Sequence, residues 1–220
     1  MARLRIGVLI SGRGSNLQAL LDTAADPAYP AQIVCAISNR ADAAGLARAE
    51  AAGVARHVVA IADRRAFAEA ADRILQAAGV ELVALAGFMR LLDAGFVEAW
   101  RDRMLNIHPS LLPAFPGLHA QRQALAAGVK FAGCTVHFVR PAVDSGPIVA
   151  QAVVPVEDGD DEASLSARIL AAEHRLYPWA IRLYAEGRLR IDGDRVFAAG
   201  AGAPLFAALN PAEPLASPGG

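Results

Sequence analysis

An asparagine and a histidine stand two residues apart, at 106 and 108, at the end of an apolar run and just before Pro109. Residues i and i+2 of a strand point the same way, so Asn106 and His108 share one face. Pro109 holds the preceding residue extended, which helps fix the direction of the imidazole. An asparagine amide can hydrogen-bond a carbonyl oxygen, and a histidine can give up a proton near neutral pH. Together they could polarise a carbonyl and protonate a leaving group. The plainer alternative is a strand-end histidine packed under a proline loop, and the neighbouring asparagine weighs against it. Asp144, in VDSGP (143–147), is the carboxylate that could complete the group. In a loop bounded by Gly and Pro an aspartate can simply make an Asx turn. Facing His108, it would favour the imidazolium.

A second chemistry is anion binding. SGRGSN (11–16) lies between a strand end and a helix start. Glycines let the backbone turn sharply, and free amides with the helix dipole can hold an anion. Ser15 and Asn16 are good N-cap types. The spacing is not GxGxxG, because Leu17 fills the third glycine position, and GK[ST] is missing. An ordinary Gly-rich turn is the alternative. Farther on, AGFMRLL (86–92) puts Phe88, Met89, Leu91 and Leu92 in a loop position. They either pack back onto the core or line a slot for a flat aromatic ligand, with Arg90 available to it. His137 lies mid-strand and reads as a hydrogen-bonded interior residue and a second candidate for the acid. His57 and His174 read as structural or exposed, and His119 as a loop residue shaping the crevice. With no HxxxH, HxH or CxxC spacing, no metal is expected.

These residues need a scaffold. Short apolar runs read as strands at Ile6–Ile10, Ile33–Ser38, Val58–Ala60, Leu82–Ala86 and Met104–Ile107. Ala-rich stretches read as helices at Gln18–Ala25, Ala43–Ala52, Arg65–Ala78 and Ala94–Trp100. Continuous apolar strands alternating with helices predict a doubly wound α/β fold, with a mostly parallel twisted sheet and helices on both faces. In such sheets the ligand crevice lies at the carboxyl ends of the strands, where Asn106 and His108 fall. His108–Gly117 carries three prolines and can be neither helix nor central strand. A short helix follows near Gln121–Ala127. Gly133–Val139 and Ile148–Pro155 read as antiparallel strands at the C-terminal side. Asp161–Glu186 reads as a long helix that Pro178 should kink or break. Asp192–Gly193 centres a hairpin over Leu189–Phe197. Residues 1–197 read as one domain and 198–220 as a loose tail rich in Ala, Pro and Gly.

The 220 residues are 55% hydrophobic and 20% charged, so a sizeable core is expected and global disorder is excluded. A net charge of -1 with no basic block gives no reason to expect a nucleic-acid or membrane partner. No run is apolar enough to span a bilayer, and the N-terminal apolar run reads as a first strand rather than an export signal. Cys35 and Cys134 read as buried thiols in a reducing cytoplasm.

Taken in order, LISGRGSNLQAL (9–20), LAGFMRLL (85–92), LNIHPSLLPAFPGLHA (105–120), GCTVHFV (133–139), VDSGPIVAQ (143–151) and EHRLYP (173–178) resemble the folate-dependent formyltransferase family. The resemblance runs from about residue 4 to 195, and its central Asn, His and proline motif is highly specific. It implies catalytic roles for Asn106, His108 and Asp144. It implies that Gly14, Ser15, Asn16 and Leu17 hold the ribose phosphate of a ribonucleotide and that Glu173 binds its glycinamide end. It implies a folate pocket at Met89, Arg90, Leu91 and Leu92, shared with Asn106 and contacted by Arg64. Gln121 stands where many relatives have His, and Ala172 where Gln is common.

The activity so implied is transfer of the formyl group of 10-formyltetrahydrofolate to the amine of 5'-phosphoribosylglycinamide, in purine biosynthesis. The expected partners are these small molecules, no metal is expected, and a cytoplasmic monomer or homodimer is expected. Rivals remain. A hydrolase of the same fold would give the formyl group to water, but such relatives usually carry an extra N-terminal domain, and this chain begins at its first strand. A formyltransferase acting on initiator tRNA should need an added C-terminal domain and a more basic surface. A non-catalytic nucleotide-binding domain gives no reason for Asn106, His108 and Asp144 to meet.

Overall fold

The computed structural model describes residues 2–200. Its first half alternates strand and helix: β1 (Leu4–Ile10), α1 (Ser15–Ala24), β2 (Ala31–Ser38), α2 (Gly45–Ala51), β3 (Ala55–Val58), α3 (Arg64–Ala77), β4 (Leu82–Leu85), α4 (Ala94–Ala99) and β5 (Met104–His108). The second half holds α5 (Ala120–Ala126), β6 (Phe131–Phe138), β7 (Ile148–Pro155), α6 (Glu162–Ala185), β8 (Leu189–Asp192) and β9 (Arg195–Ala198). The strands form one sheet in the order β3-β2-β1-β4-β5-β6-β7-β9-β8. Strands β1 to β5 are parallel; β6 joins β5 antiparallel, and β7 joins β6 antiparallel. The mostly parallel sheet with antiparallel strands on its C-terminal side is therefore the one expected.

Two hydrophobic clusters lie on opposite faces of the sheet, and the pleat divides the strands between them. Ile6, Val8 and Ile10 of β1 join Leu17, Leu20 and Ile181 in one cluster, while Leu9 joins Leu75, Phe67 and Trp100 in the other. Leu82 and Ala84 of β4 face the first cluster, and Val83 and Leu85 the second. This is period-two alternation with both faces apolar, hence strands that read as continuous apolar runs. Gly7 lets α3 approach closely: a Cβ there would stand 2.4 Å from Leu75 Cδ2. Each fully buried Leu or Ile contributes roughly 1.5–3 kcal/mol.

Two local expectations fail. The third strand is Ala55–Val58, not Val58–Ala60. It is an edge strand paired only with β2, and its residues are mostly exposed, so apolarity does not mark it. Helix α6 runs through Pro178 without a break. Proline removes one backbone donor, a local cost that tertiary packing offsets here. Tyr177, Ala180 and Ile181 around it are fully buried, and the Tyr29 hydroxyl donates to the Pro178 carbonyl at 2.7 Å. The start of α6 carries a capping box, Asp161 with Ser164. The hairpin at 189–198 is present, with Gly193 at φ 58 in its turn. From residue 201 on, the tail read at 198–220 lies outside the described residues.

Candidate active site

Strand β5 ends at His108 and pairs antiparallel with β6, which sets Asn106 opposite His137 and His108 opposite Thr135. Asn106 Nδ2 lies 3.1 Å from His137 Nε2. The Asp144 carboxylate sits between the two histidines, 3.3 Å from His108 Nδ1 and 3.6 Å from His137 Nε2. Its firmest bond is from the Gly117 amide, at 2.8 Å. Asn106 and His108, neighbours on β5, and Asp144, from a distant loop, thus form one cluster with His137. His108 and His137 are nearly fully buried, 6% and 2% exposed.

Burial alone would raise the Asp144 carboxyl. The hydrogen bond from His137, the Gly117 amide and the charge of His108 together outweigh it and hold the carboxyl below its ordinary range. The remaining nitrogen of His108, Nε2, lies 3.1 Å from the Phe115 carbonyl. Both His108 nitrogens therefore face acceptors, an arrangement an imidazolium satisfies and a neutral ring does not. His137 Nδ1 lies 3.0 Å from its neighbour's carbonyl, Phe138 O. A neutral His137 with its proton there accepts the Asn106 amide at Nε2; a protonated ring gives that hydrogen to Asp144 instead.

Backbone conformation supports this geometry. Asp144 (φ 48), Phe115 (φ 53) and His119 (φ 59) all occupy the left-handed region. For a bulky residue such as Phe115 this is unfavourable, by about 1–3 kcal/mol. The strain turns the Phe115 carbonyl onto His108 while its ring packs against the core. The proline loop is pinned from below by buried Thr135, which donates to Ser110 O and accepts from Leu112 N, and by Gln151, which donates to Leu112 O.

The glycine loop caps α1 differently from the sequence reading. The N-cap is Gly14, at φ 71, not Ser15 or Asn16. Glycine alone adopts that angle without strain, and it lies so close to α2 that a Cβ would stand 2.5 Å from Gly45 Cα. Ser15, Asn16 and Leu17 are then the first helical residues, whose amides have no intrahelical acceptor. Leu17 has its side chain wholly in the core, so only its backbone can meet a ligand. Asn16 is buried and donates to Glu173 Oε2 at 2.7 Å, while its Oδ1 is buried with no partner among the described residues. Burial pushes the Glu173 carboxyl up, and the Asn16 bond offsets part of that.

The apolar loop divides its labour. Phe88 stacks on Phe67 with centroids 5.5 Å apart, and Phe88 and Leu92 pack against the second cluster. Met89 and Leu91 stay exposed, at 70% and 52%. The Arg90 guanidinium donates to Ile61 O and Ala62 O, each at 2.6 Å, and lies 5.0 Å over Phe67. It thereby holds the segment before α3. Arg64 opens that helix as an exposed residue, after the Asp63 cap. Leu118 and Val143, also exposed, adjoin Gly117 and Asp144.

His119 caps α5, and His174 is half-buried with Nε2 lacking a partner among the described residues. Among those residues no group of three or more His, Cys, Asp or Glu could hold a metal ion. No helix among them is long and apolar enough to cross a membrane. Burial pushes the Cys35 thiol to about 11 and the Cys134 thiol to about 12, so neither is a nucleophile at neutral pH. Sequence reasoning gave His137 second rank and missed Phe115 and Gly117. The Asn106–His137 contact follows from the β5–β6 register, which an antiparallel pairing of those two strands would have exposed; the two loop backbone groups leave no mark in residue type.

Residues 4–181 match the formyl transferase family. The chain belongs to that family. A crystal structure of glycinamide ribonucleotide transformylase 1 from Symbiobacterium toebii is 58% identical and superposes with a TM-score of 0.87, covering 89% of this chain and 94% of that one. Phosphoribosylglycinamide formyltransferase of Escherichia coli (strain K12) is 43% identical over 203 residues, 88% of this chain and 96% of the relative. The trifunctional purine biosynthetic protein adenosine-3 of Drosophila pseudoobscura pseudoobscura is 52% identical over 193 residues, 86% of this chain. This formyl transferase spans only 14% of that trifunctional relative's length.

Proposed function

We propose that the protein transfers the formyl group of 10-formyltetrahydrofolate to the amine of 5'-phosphoribosylglycinamide, a step of purine biosynthesis, and that one domain over residues 1–197 does so in the cytoplasm. The observation that carries this reading is the meeting of Asn106, His108 and Asp144 at the carboxyl end of β5. That cluster suits an acyl transfer without a covalent enzyme intermediate, and no reactive thiol adjoins it.

The amine attacks the formyl carbon, and the carbonyl oxygen becomes an oxyanion. Asn106 Nδ2 and protonated His108 stabilise that oxygen. Asp144 orients His108 through its Nδ1. To reach the oxyanion, His108 Nε2 exchanges the Phe115 carbonyl for the substrate oxygen. The carbon–nitrogen bond to folate then breaks as His108, directly or through water, gives a proton to the departing nitrogen, and the proton shed by the attacking amine restores it. Much of the acceleration comes from holding two substrates in contact.

The amides of Ser15, Asn16 and Leu17 and the dipole of the ten-residue α1 suit the ribose phosphate. Glu173, with Asn16, takes the glycinamide end; the unpartnered Asn16 Oδ1 is an acceptor for it. The exposed apolar side chains Met89, Leu91, Leu118 and Val143, on the loops that follow β4, β5 and β6, suit the flat face of a folate. Arg90 supports that pocket by holding the segment before Arg64, which leaves Arg64 free to reach the folate's acidic tail.

The test is spectrophotometric release of folate from a 10-formyl folate, with and without glycinamide ribonucleotide. Release that requires the amine is expected. Equal release without it would replace this reading with hydrolysis, and none in either case would replace it with a binding protein.

A further inference from the structure

Ser11 directly follows β1, at the start of the glycine loop, and its hydrogen bonds reach the 87–92 loop. Its backbone amide donates to Gly87 O at 3.2 Å, one step beyond the β1–β4 ladder, whose last paired residues are Leu9 and Leu85. The chain then turns away at Gly12, and the ladder has no further backbone acceptor from β1 to offer. The Ser11 side chain supplies one: its Oγ accepts the Met89 amide at 2.8 Å. The same hydroxyl gives its single hydrogen to Asn39 Oδ1, at 2.7 Å, at the end of β2. With that hydrogen committed, a lone pair is left facing Met89. Ser11 is 6% exposed, so these bonds are shielded from competing water.

The two loops joined here are anchored unequally. The glycine loop has other holds: Gly45 N donates to Gly12 O at 3.0 Å, Arg48 Nε to Arg13 O at 3.0 Å, and Asn16 to Glu173 at 2.7 Å. The 87–92 loop is fixed at Phe88 by stacking and at Arg90 by its guanidinium. Between them, the Met89 backbone is tied down by Ser11.

We propose that Ser11 is a positioning residue that sets the distance between the formyl-donor loop and the ribonucleotide loop, with Asn39 orienting its hydroxyl. This rests on the two-substrate reading above. Reacting atoms must meet at near-contact distance, and a shift of about 1 Å can lower the rate on the order of 10²-fold. Because the glycine loop keeps its own anchors, the loss falls on the donor side.

The test compares wild type with Ser11→Ala, Ser11→Thr and Asn39→Ala, all full chain. Ser11→Ala is expected to raise KM for the formyl folate about fivefold or more and to lower kcat roughly tenfold or more, with KM for the ribonucleotide within about twofold. Hydrogen exchange at the Met89 amide should speed up by about tenfold or more as its acceptor is lost. Ser11→Thr, which keeps the hydroxyl, should restore most of both, and Asn39→Ala should show a weaker change in the same direction. Equal losses in both KM values, a Thr variant as impaired as Ala while still folded, or unchanged Met89 exchange would each overturn the proposal. Two readouts need no turnover: tetrahydrofolate and ribonucleotide affinity by titration calorimetry. If wild type binds both without transferring formyl, the functional reading fails. Selective loss of tetrahydrofolate affinity in Ser11→Ala would still support Ser11, and equal affinity would overturn it. A wild type that binds no tetrahydrofolate overturns both.

Discussion

The Asn16 amide donates to the Glu173 carboxylate at 2.7 Å, joining the first turn of α1 to the middle of α6 across 157 positions of sequence. Both side chains are buried, and one oxygen of the asparagine is left without a partner among the described residues. A buried polar pair that is incompletely satisfied is a poor stabilising element and a good binding one.

That pair gives a pH dependence with a definite sign. Burial holds the folded Glu173 carboxyl above its usual 4.5. The folded state binds this proton more tightly, so the group's stabilising contribution is complete below about pH 4.5 and is lost as pH rises through the raised folded value. Glu173→Gln should remove that loss. Its urea midpoint, relative to wild type, should rise between about pH 4 and about pH 7. An offset that does not change with pH would contradict the buried-carboxyl account.

Asp144 behaves oppositely. Its folded carboxyl lies below the ordinary 3.8, so its contribution is present above that value and lost as pH falls through the depressed one. Asp144→Asn should therefore flatten the acid limb of the stability curve. It should also lower kcat by about 10²–10⁴-fold, the range for a positioned proton donor that has lost its charged partner. Near-normal kcat would remove Asp144 from the proposed mechanism.

Asn106→Ala should lower kcat by about 10²–10³-fold with a smaller change in either KM, because its amide is asked to act on the oxyanion rather than on bound substrate. A KM effect alone, from steady-state kinetics, would make Asn106 a binding residue.

Gly14→Ala should destabilise the fold by at least about 1–2 kcal/mol, the penalty of a left-handed L-residue, with the clash against Gly45 added. It should also weaken ribonucleotide binding in a calorimetric titration. A variant of wild-type stability would mean that α1 can begin elsewhere.

Arg90→Lys should raise KM for the formyl folate several-fold while sparing the ribonucleotide. An ammonium cannot span two carbonyls and stack on Phe67 as the guanidinium does. Equal kinetics would show that the segment before α3 is held without it.

By itself the sequence determined the α/β scaffold, because strands buried on both faces must be apolar throughout and the helices between them follow their own period. It also marked Asn106 and His108 as sharing a face, since two-residue spacing on a strand allows nothing else. It could not locate β3, whose edge position removes the apolar signal, nor foresee that Pro178 would stay inside α6, where packing outweighs a lost hydrogen bond. Nor could it tell that the Arg90 guanidinium is spent on two backbone carbonyls, or that Gly14 rather than Ser15 caps α1. Only the tertiary structure decided which groups meet. His137 enters the site through the register of two antiparallel strands, and the Phe115 carbonyl and Gly117 amide enter through left-handed loop geometry. Backbone groups are the same in every residue, so their use at a site is written in the path of the chain and not in its letters.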